Sequence, residues 1–169
     1  MRTHSWLLGT LAAVAVVAAP ARTQGADVDN QTILTFSQPI EVPGTTLQPG
    51  AYVFETAGGP NGRYTVQIYS SDRSKLIAMA EAVSMKRDGP SDVVQYRPTI
   101  LGSAPTALKG WFRNGSASGY QLVYPAREAA AIAHRTDERV VAAETESGKA
   151  AQLVLLDPFG NRTPWQPAT

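Results

Sequence analysis

The sequence contains no cysteine and only two histidines, His4 and His134, in 169 residues. The first absence removes disulfides and every thiolate chemistry, so stability has to come from an apolar core and from sheet hydrogen bonds. The second leaves too few imidazoles for a histidine metal cluster or a nucleophile–histidine–acid triad. Neither sign of charge is in excess: 15 Lys and Arg stand against 14 Asp and Glu, a formal net charge of +1. That balance supplies no general attraction to nucleic acid or to an anionic membrane. Neither a cofactor nor a metal site is expected, and nucleic acid is not an expected partner.

What is present begins with Arg2, an apolar run of 14 residues from Trp6 to Ala19, and the small-residue exit Ala19-Pro20-Ala21. This is the plan of an export signal. Fourteen residues fall short of the roughly 20 needed to span a bilayer, so residues 1–21 are expected to be cleaved, with no stable membrane insertion afterwards. Removing 21 residues from 169 leaves 148. A chain of that size makes one domain, burying on the order of 70% of the surface it exposes when unfolded. Export without cysteine leans toward a bacterial envelope protein, periplasmic or extracellular.

Residues 22–30 carry Gly25 and two aspartates without an apolar pattern, and are expected to be a flexible leader. The β-rich domain is expected over residues 31–136. Its punctuation is dense: Pro43-Gly44, Pro49-Gly50, Gly58-Gly59-Pro60-Asn61-Gly62, Ser71-Asp72, Asp88-Gly89-Pro90 and Asn114-Gly115 through Gly119. Between these breaks Tyr64, Val66 and Ile68 alternate with Thr65 and Gln67, the period of a half-buried strand. Leu76 to Met85 is apolar on both faces apart from Glu81 and Ser84; a deeply placed strand is preferred there over a short buried helix. Val93 to Ile100, Ala107 to Phe112 and Tyr120 to Tyr124 complete the set.

The pattern changes at Pro125. Residues 126–135 are strong helix formers, with His134 and Arg135 placed to complement the dipole at the carboxyl end. Residues 137–169 then hold two short apolar runs, expected to form a hairpin or a partly flexible arm. The fold class expected is mainly β: an antiparallel, sandwich-like single domain with one carboxyl-terminal helix.

Chemistry is sparse. The acidic residues are scattered through turns, and no segment has the alternating oxygen ligands of a calcium loop. Gly58, Gly59 and Gly62 lack the following Lys-Ser or Lys-Thr of a phosphate loop and read as a hairpin turn. The most suggestive local pattern is Lys109-Gly110-Trp111-Phe112-Arg113. In an extended conformation Leu108 and Phe112 share one face, and Lys109, Trp111 and Arg113 share the other. Trp111 between two cations is the candidate ligand-binding face, able to stack on a sugar or peptide. The competing reading has Trp111 covered by the helix or by a neighbouring strand.

Three blocks, Val42-Pro43-Gly44 to Phe54, Ala107 to Phe112 and Gly119 to Pro125, taken in that order after an export signal, resemble an uncharacterised family of secreted bacterial β-rich proteins of similar length. The resemblance covers roughly Ile33 to Ala133. In that family the tryptophan block often continues with Tyr-Pro-Gly, where this chain has Arg113-Asn114-Gly115. The resemblance implies an exported bacterial β protein; the family has no established activity, and no functional residue is carried over. The function expected is that of an exported, non-catalytic envelope or secreted interaction protein with a protein or glycan partner. The alternatives are a carbohydrate- or peptide-binding domain using Trp111, Lys109 and Arg113, and a carboxylate-based hydrolase.

Overall fold

A computed structural model describes residues 30–87, 93–113, 115–145 and 151–167. The expected signal segment, the leader up to residue 29 and the turn at Asp88-Gly89-Pro90 lie outside the described residues.

Twelve strands and one α-helix follow the punctuation of the sequence. They are β1 Gln31–Phe36, β2 Ile40–Val42, β3 Thr45–Leu47, β4 Gly50–Gly58, β5 Arg63–Ser70, β6 Leu76–Lys86, β7 Val94–Arg97, β8 Thr106–Phe112, β9 Ser118–Pro125, α1 Ala126–Thr136, β10 Val140–Glu144, β11 Gln152–Leu156 and β12 Arg162–Pro164. Pro43 and Gly44 close the β2–β3 hairpin between Val42 and Thr45. Gly44 has φ +79°, the left-handed value that the third position of a type II turn requires and that proline before it favours. Leu76 to Lys86 is strand throughout, so its alanines serve close sheet packing rather than a helix.

The described residues are mainly β with a single α-helix, and their pairings link the twelve strands into one mixed sheet. An antiparallel series runs β1-β4-β5-β6-β9-β8-β7. Two pairings are parallel, a departure from the expected antiparallel plan: β2 with β8 and β9 with β10. Both arise because β9 outlasts β8 as a partner. Gly119 to Gln121 of β9 pair with β8, and Tyr124 and Pro125 then pair with β10. The start of β8, released from β9, takes Ile40 and Glu41 of β2 instead. Tyr124 stands at this fork, its hydroxyl 2.8 Å from the Leu108 carbonyl and 3.0 Å from the Glu41 carbonyl. Burial of that hydroxyl raises its pKa above the ordinary tyrosine value, so it stays protonated and able to donate.

Period-two alternation sorts the side chains into two clusters. Phe36, Phe54, Ile68, Ala82, Trp111, Leu122, Tyr124, Val140 and Leu156 lie in the main core. Val83, Val123 and Val141, from the opposite faces of β6, β9 and β10, form a smaller one, which Leu153, Leu155 and Trp165 cover. Residues 140–156 thus contribute to both cores as a hairpin, β10 with β11. In α1 the buried Ala129, Ile132, Ala133 and Thr136 recur at helical spacing and face the main core. Pro125 precedes the first turn, and Asp137, in the left-handed conformation at φ 55°, ends the helix. The Arg135 carbonyl at that end accepts from the N–H groups of Ile100 at 2.8 Å and Leu101 at 3.1 Å, which satisfy it in place of a further turn.

Two pairs of groups fix the helix over the β2–β3 hairpin. Glu128 accepts from the Gly44 N–H at 3.0 Å, and Arg135 donates to the Glu41 carboxylate. Burial nevertheless raises the Glu41 pKa above the ordinary carboxylate value, outweighing the opposing pull of Arg135. Among the described residues no helix is long and apolar enough to cross a membrane.

Candidate functional site

The candidate face on β8 is not assembled as its spacing predicts. Trp111 is wholly buried, its ring 5.0 Å from that of Phe54 and 5.3 Å from that of Tyr120. Lys109 is half-buried and Arg113 exposed. The cause is a register shift: Gln95 of β7 pairs with Gly110, but Tyr96 pairs with Leu108, so Lys109 is an extra residue in β8. An extra residue in one strand reverses the facing of everything beyond it. Leu108 and Trp111, three apart, therefore share the main core, while Phe112 points to the opposite face and lies under the Arg87 guanidinium at 4.5 Å. A ligand-stacking role for exposed Trp111 is overturned by this geometry. Of the three residues, Arg113 lines a cleft.

That cleft opens above Trp111 and has a volume of about 430 Å³. Its side chains are Tyr64 from β5, Ser84 from β6, Arg113 after β8, Ser116 in the following turn, and Ser118 and Tyr120 from β9, over the backbone of Gly115 and Gly119. Neighbouring strands bring them together: Ser84 pairs with Tyr120 across β6 and β9, and Tyr64 lies one strand further. The Tyr64 and Tyr120 rings meet nearly at right angles with centroids 4.9 Å apart. Arg113 donates to the Tyr120 hydroxyl and lies 5.5 Å from the centre of that ring, which anchors the guanidinium at the rim.

Close backbone contact forms the floor. A Cβ at Gly119 would come within 2.4 Å of the Trp111 carbonyl oxygen and 2.6 Å of Phe112 Cδ1. A Cβ at Gly110 would come within 2.1 Å of the Tyr120 carbonyl oxygen. Only glycine lets β8 and β9 approach this closely. The Ser116 hydroxyl donates to the Ser118 carbonyl at 2.8 Å and accepts from the Ser118 N–H at 3.1 Å, which holds the turn. Among the described residues, the hydroxyls of Tyr64, Ser84 and Ser118 have no hydrogen-bond partner. Tyr64 also lines an adjoining hollow of about 460 Å³ with Arg63, Thr65, Met79 and Glu81, where Arg63 and Glu81 form an ion pair.

Reasoning along the sequence missed Tyr64, Ser84, Ser116, Ser118 and Tyr120. Each belongs to a segment that reads as ordinary strand or turn, and only the pairing of β5, β6 and β9 puts them together.

Among the described residues, the carboxylates lie outside this cleft. Glu55 pairs with Arg73 at 2.7 Å, Glu144 with Arg162 at 2.6 Å, and Glu81, Glu41 and Glu128 have the partners given above. Asp72 accepts from the hydroxyls of Ser70 and Ser74 in its turn, which pull its pKa down to about 2. Asp157 organises the β11–β12 turn, and its bond from the Asn161 side chain lowers its pKa. Among the described residues no group of three or more His, Cys, Asp and Glu is placed to hold a metal ion. His134 is exposed on α1.

Arg97 was not foreseen. It is fully buried, and none of its guanidinium nitrogens has a hydrogen-bond partner among the described residues. Its ion-pair partner, Glu138 Oε2, is 3.7 Å from Nε. Burial lowers its pKa below the ordinary arginine value.

Searches against family models, curated proteins and solved structures give no match.

Proposed function

We propose that the mature chain is an exported, non-catalytic binding protein of the periplasm or the extracellular space, which takes a saccharide or peptide ligand in the cleft bounded by Tyr64, Ser84, Arg113 and Tyr120. One observation carries this reading: a guanidinium and five hydroxyl side chains, two of them on aromatic rings, converge on a single hollow built on paired strands. Strands hold such groups in place without the entropy cost of ordering a loop when ligand arrives. Export rests on Arg2, the apolar run Trp6–Ala19 and the exit at Ala21, and the resemblance to secreted bacterial β proteins points the same way.

The test is isothermal titration of the chain from residue 22 onward against panels of oligosaccharides and short peptides, in parallel with Tyr64→Ala. A ligand whose binding is lost in Tyr64→Ala, with an unchanged melting temperature, supports the reading. Binding that is indifferent to Tyr64, Ser84 and Arg113 would place the ligand elsewhere and overturn it.

A further inference from the structure

Among the described residues, β1, β3, β7 and β12 each pair with a neighbour on one side only. An open strand edge invites pairing with another chain, and three of these four are guarded against it. β3 and β12 are three residues long, β12 with Arg162 and Pro164, and β7 is short, shifts register against β8 and ends in Arg97. β1 has no such guard. Its residues Gln31-Thr32-Ile33-Leu34-Thr35-Phe36 include no charge and no proline, and they pair with β4 without a register shift.

One hydrogen bond fixes the direction of each backbone group of β1. The Thr56 N–H donates to the Asn30 carbonyl at 2.8 Å, and these two residues lie one step beyond the Gln31–Glu55 pair. Hydrogen-bonded and non-bonded pairs alternate along an antiparallel ladder, so Thr32, Leu34 and Phe36 turn their N–H and C=O groups toward β4. Gln31, Ile33 and Thr35 turn theirs to the open edge, where no partner lies among the described residues. The Ile33 side chain is 40% exposed, whereas Leu34 and Phe36, on the other face, belong to the main core.

We propose that a second copy of this chain docks on that edge, β1 against β1 and antiparallel, about a two-fold axis through Ile33. In this register Ile33 faces its own copy and Gln31 faces Thr35, so each outward N–H and C=O of the three residues gains a partner. Opposite residues of an antiparallel pair share a face. Thr32 therefore lies across from Leu34, and the two main cores stay on the same side of one continuous sheet. A slip by one residue would set Leu34 across from the exposed Ile33 and break that match. The strand has no charge to be opposed across the axis, and the two Ile33 side chains cover each other. The edge shares no residue with the ligand cleft, so the dimer and the binding function stand or fall separately.

Sedimentation equilibrium of the chain from residue 22 onward tests this between about 1 μM and 1 mM, because a contact built on one strand pair belongs to the weak class of interfaces. The expected result is a reversible monomer–dimer equilibrium. Ile33→Lys and Ile33→Glu each remove the apolar contact and set like charges face to face, and each is expected to weaken the dimer roughly tenfold. An equimolar mixture of the two variants regains it, since opposite charges then meet. Leu76→Lys, at a similarly exposed residue of β6, leaves the dimer unchanged. A chain that is monomeric throughout overturns the proposal, and so does a dimer that Ile33→Lys does not weaken. Failure of the mixture to regain dimer overturns the two-fold at Ile33. Amide exchange at Ile33 tells the other occupants apart, each of which also overturns the second copy. Protection in a monomer at every concentration assigns the edge to residues 22–29 of the same chain, and rapid exchange throughout leaves it to a strand of a different protein.

Discussion

The carboxylate of Glu128 accepts the N–H of Gly44 at 3.0 Å, so the first turn of the helix holds a hairpin turn 84 residues earlier in the chain. The Pro43-Gly44 turn is thus locked from outside as well as by its own geometry. Glu128→Ala is expected to lower stability by about 0.5–1.5 kcal/mol, the usual range for one such bond. Glu128→Gln, which keeps an acceptor oxygen, loses less. Urea midpoints of the two variants check this, and an unshifted midpoint for Glu128→Ala would contradict it.

Trp111→Ala is expected to cost about 3–5 kcal/mol, because a large ring is removed from a filled core between Phe54 and Tyr120. Chemical denaturation measures the loss. An unchanged midpoint would show that Trp111 is solvent-facing after all.

Gly119→Ala forces a methyl group against the Trp111 carbonyl oxygen and Phe112, and is expected to destabilise by about 1–3 kcal/mol. Gly58→Ala is the control. Its Cβ would meet only Tyr64 Cε1, at 4.0 Å, so a change within about 0.5 kcal/mol is expected. Melting temperatures that fall equally in both variants would refute the close β8–β9 approach.

Arg97→Met is expected to leave stability unchanged or to raise it by about 1–4 kcal/mol, since an apolar chain of similar length replaces a buried cation with incomplete pairing. Glu138→Gln has the opposite sign, because it removes the carboxylate at 3.7 Å and keeps the charge. Thermal unfolding of the two variants reads these signs directly. A fall in melting temperature for Arg97→Met would show that the guanidinium has partners it needs.

Asp72 has a folded pKa depressed from 3.8 to about 2. A carboxyl group so depressed contributes stability above its unfolded pKa and loses it as pH falls through the folded value. The contribution is therefore present at neutral pH, starts to fade near 3.8 and is gone below about 2. The carboxyl-carbon NMR titration of Asp72 is expected to have its midpoint near 2. Ser70→Ala, which removes the first of its donors, moves the midpoint upward.

Much of the architecture was legible because its signals are local. Proline and glycine marked the turns, alternation marked β5, and alanine-rich spacing after Pro125 marked α1. Asp72 was assigned to a turn from its type and neighbours alone. The failure at Trp111 has a definite source: alternation is counted along one strand, whereas the extra residue Lys109 shows itself only when β8 is laid against β7. The cleft was hidden for a related reason. Tyr64 and Ser118 are 54 positions apart in the sequence, and no periodicity relates them. Arg97 escaped because an arginine that ends the short run Val94-Gln95-Tyr96 reads as a solvated strand end, whereas the folded chain buries it beside Glu138.

The fork at β9 has a consequence for how the molecule acquires its shape. The strands β1, β4, β5 and β6 pair in succession, but the core face they share is covered by residues from later in the chain: Phe36 meets Phe54, and Phe54 meets Trp111, some 57 residues later. Val140 and Leu156 complete the same core. Completing that core joins segments far apart in sequence. Such closure is slow, on the order of milliseconds to seconds. The main core is therefore complete only when the chain as far as Leu156 has joined it.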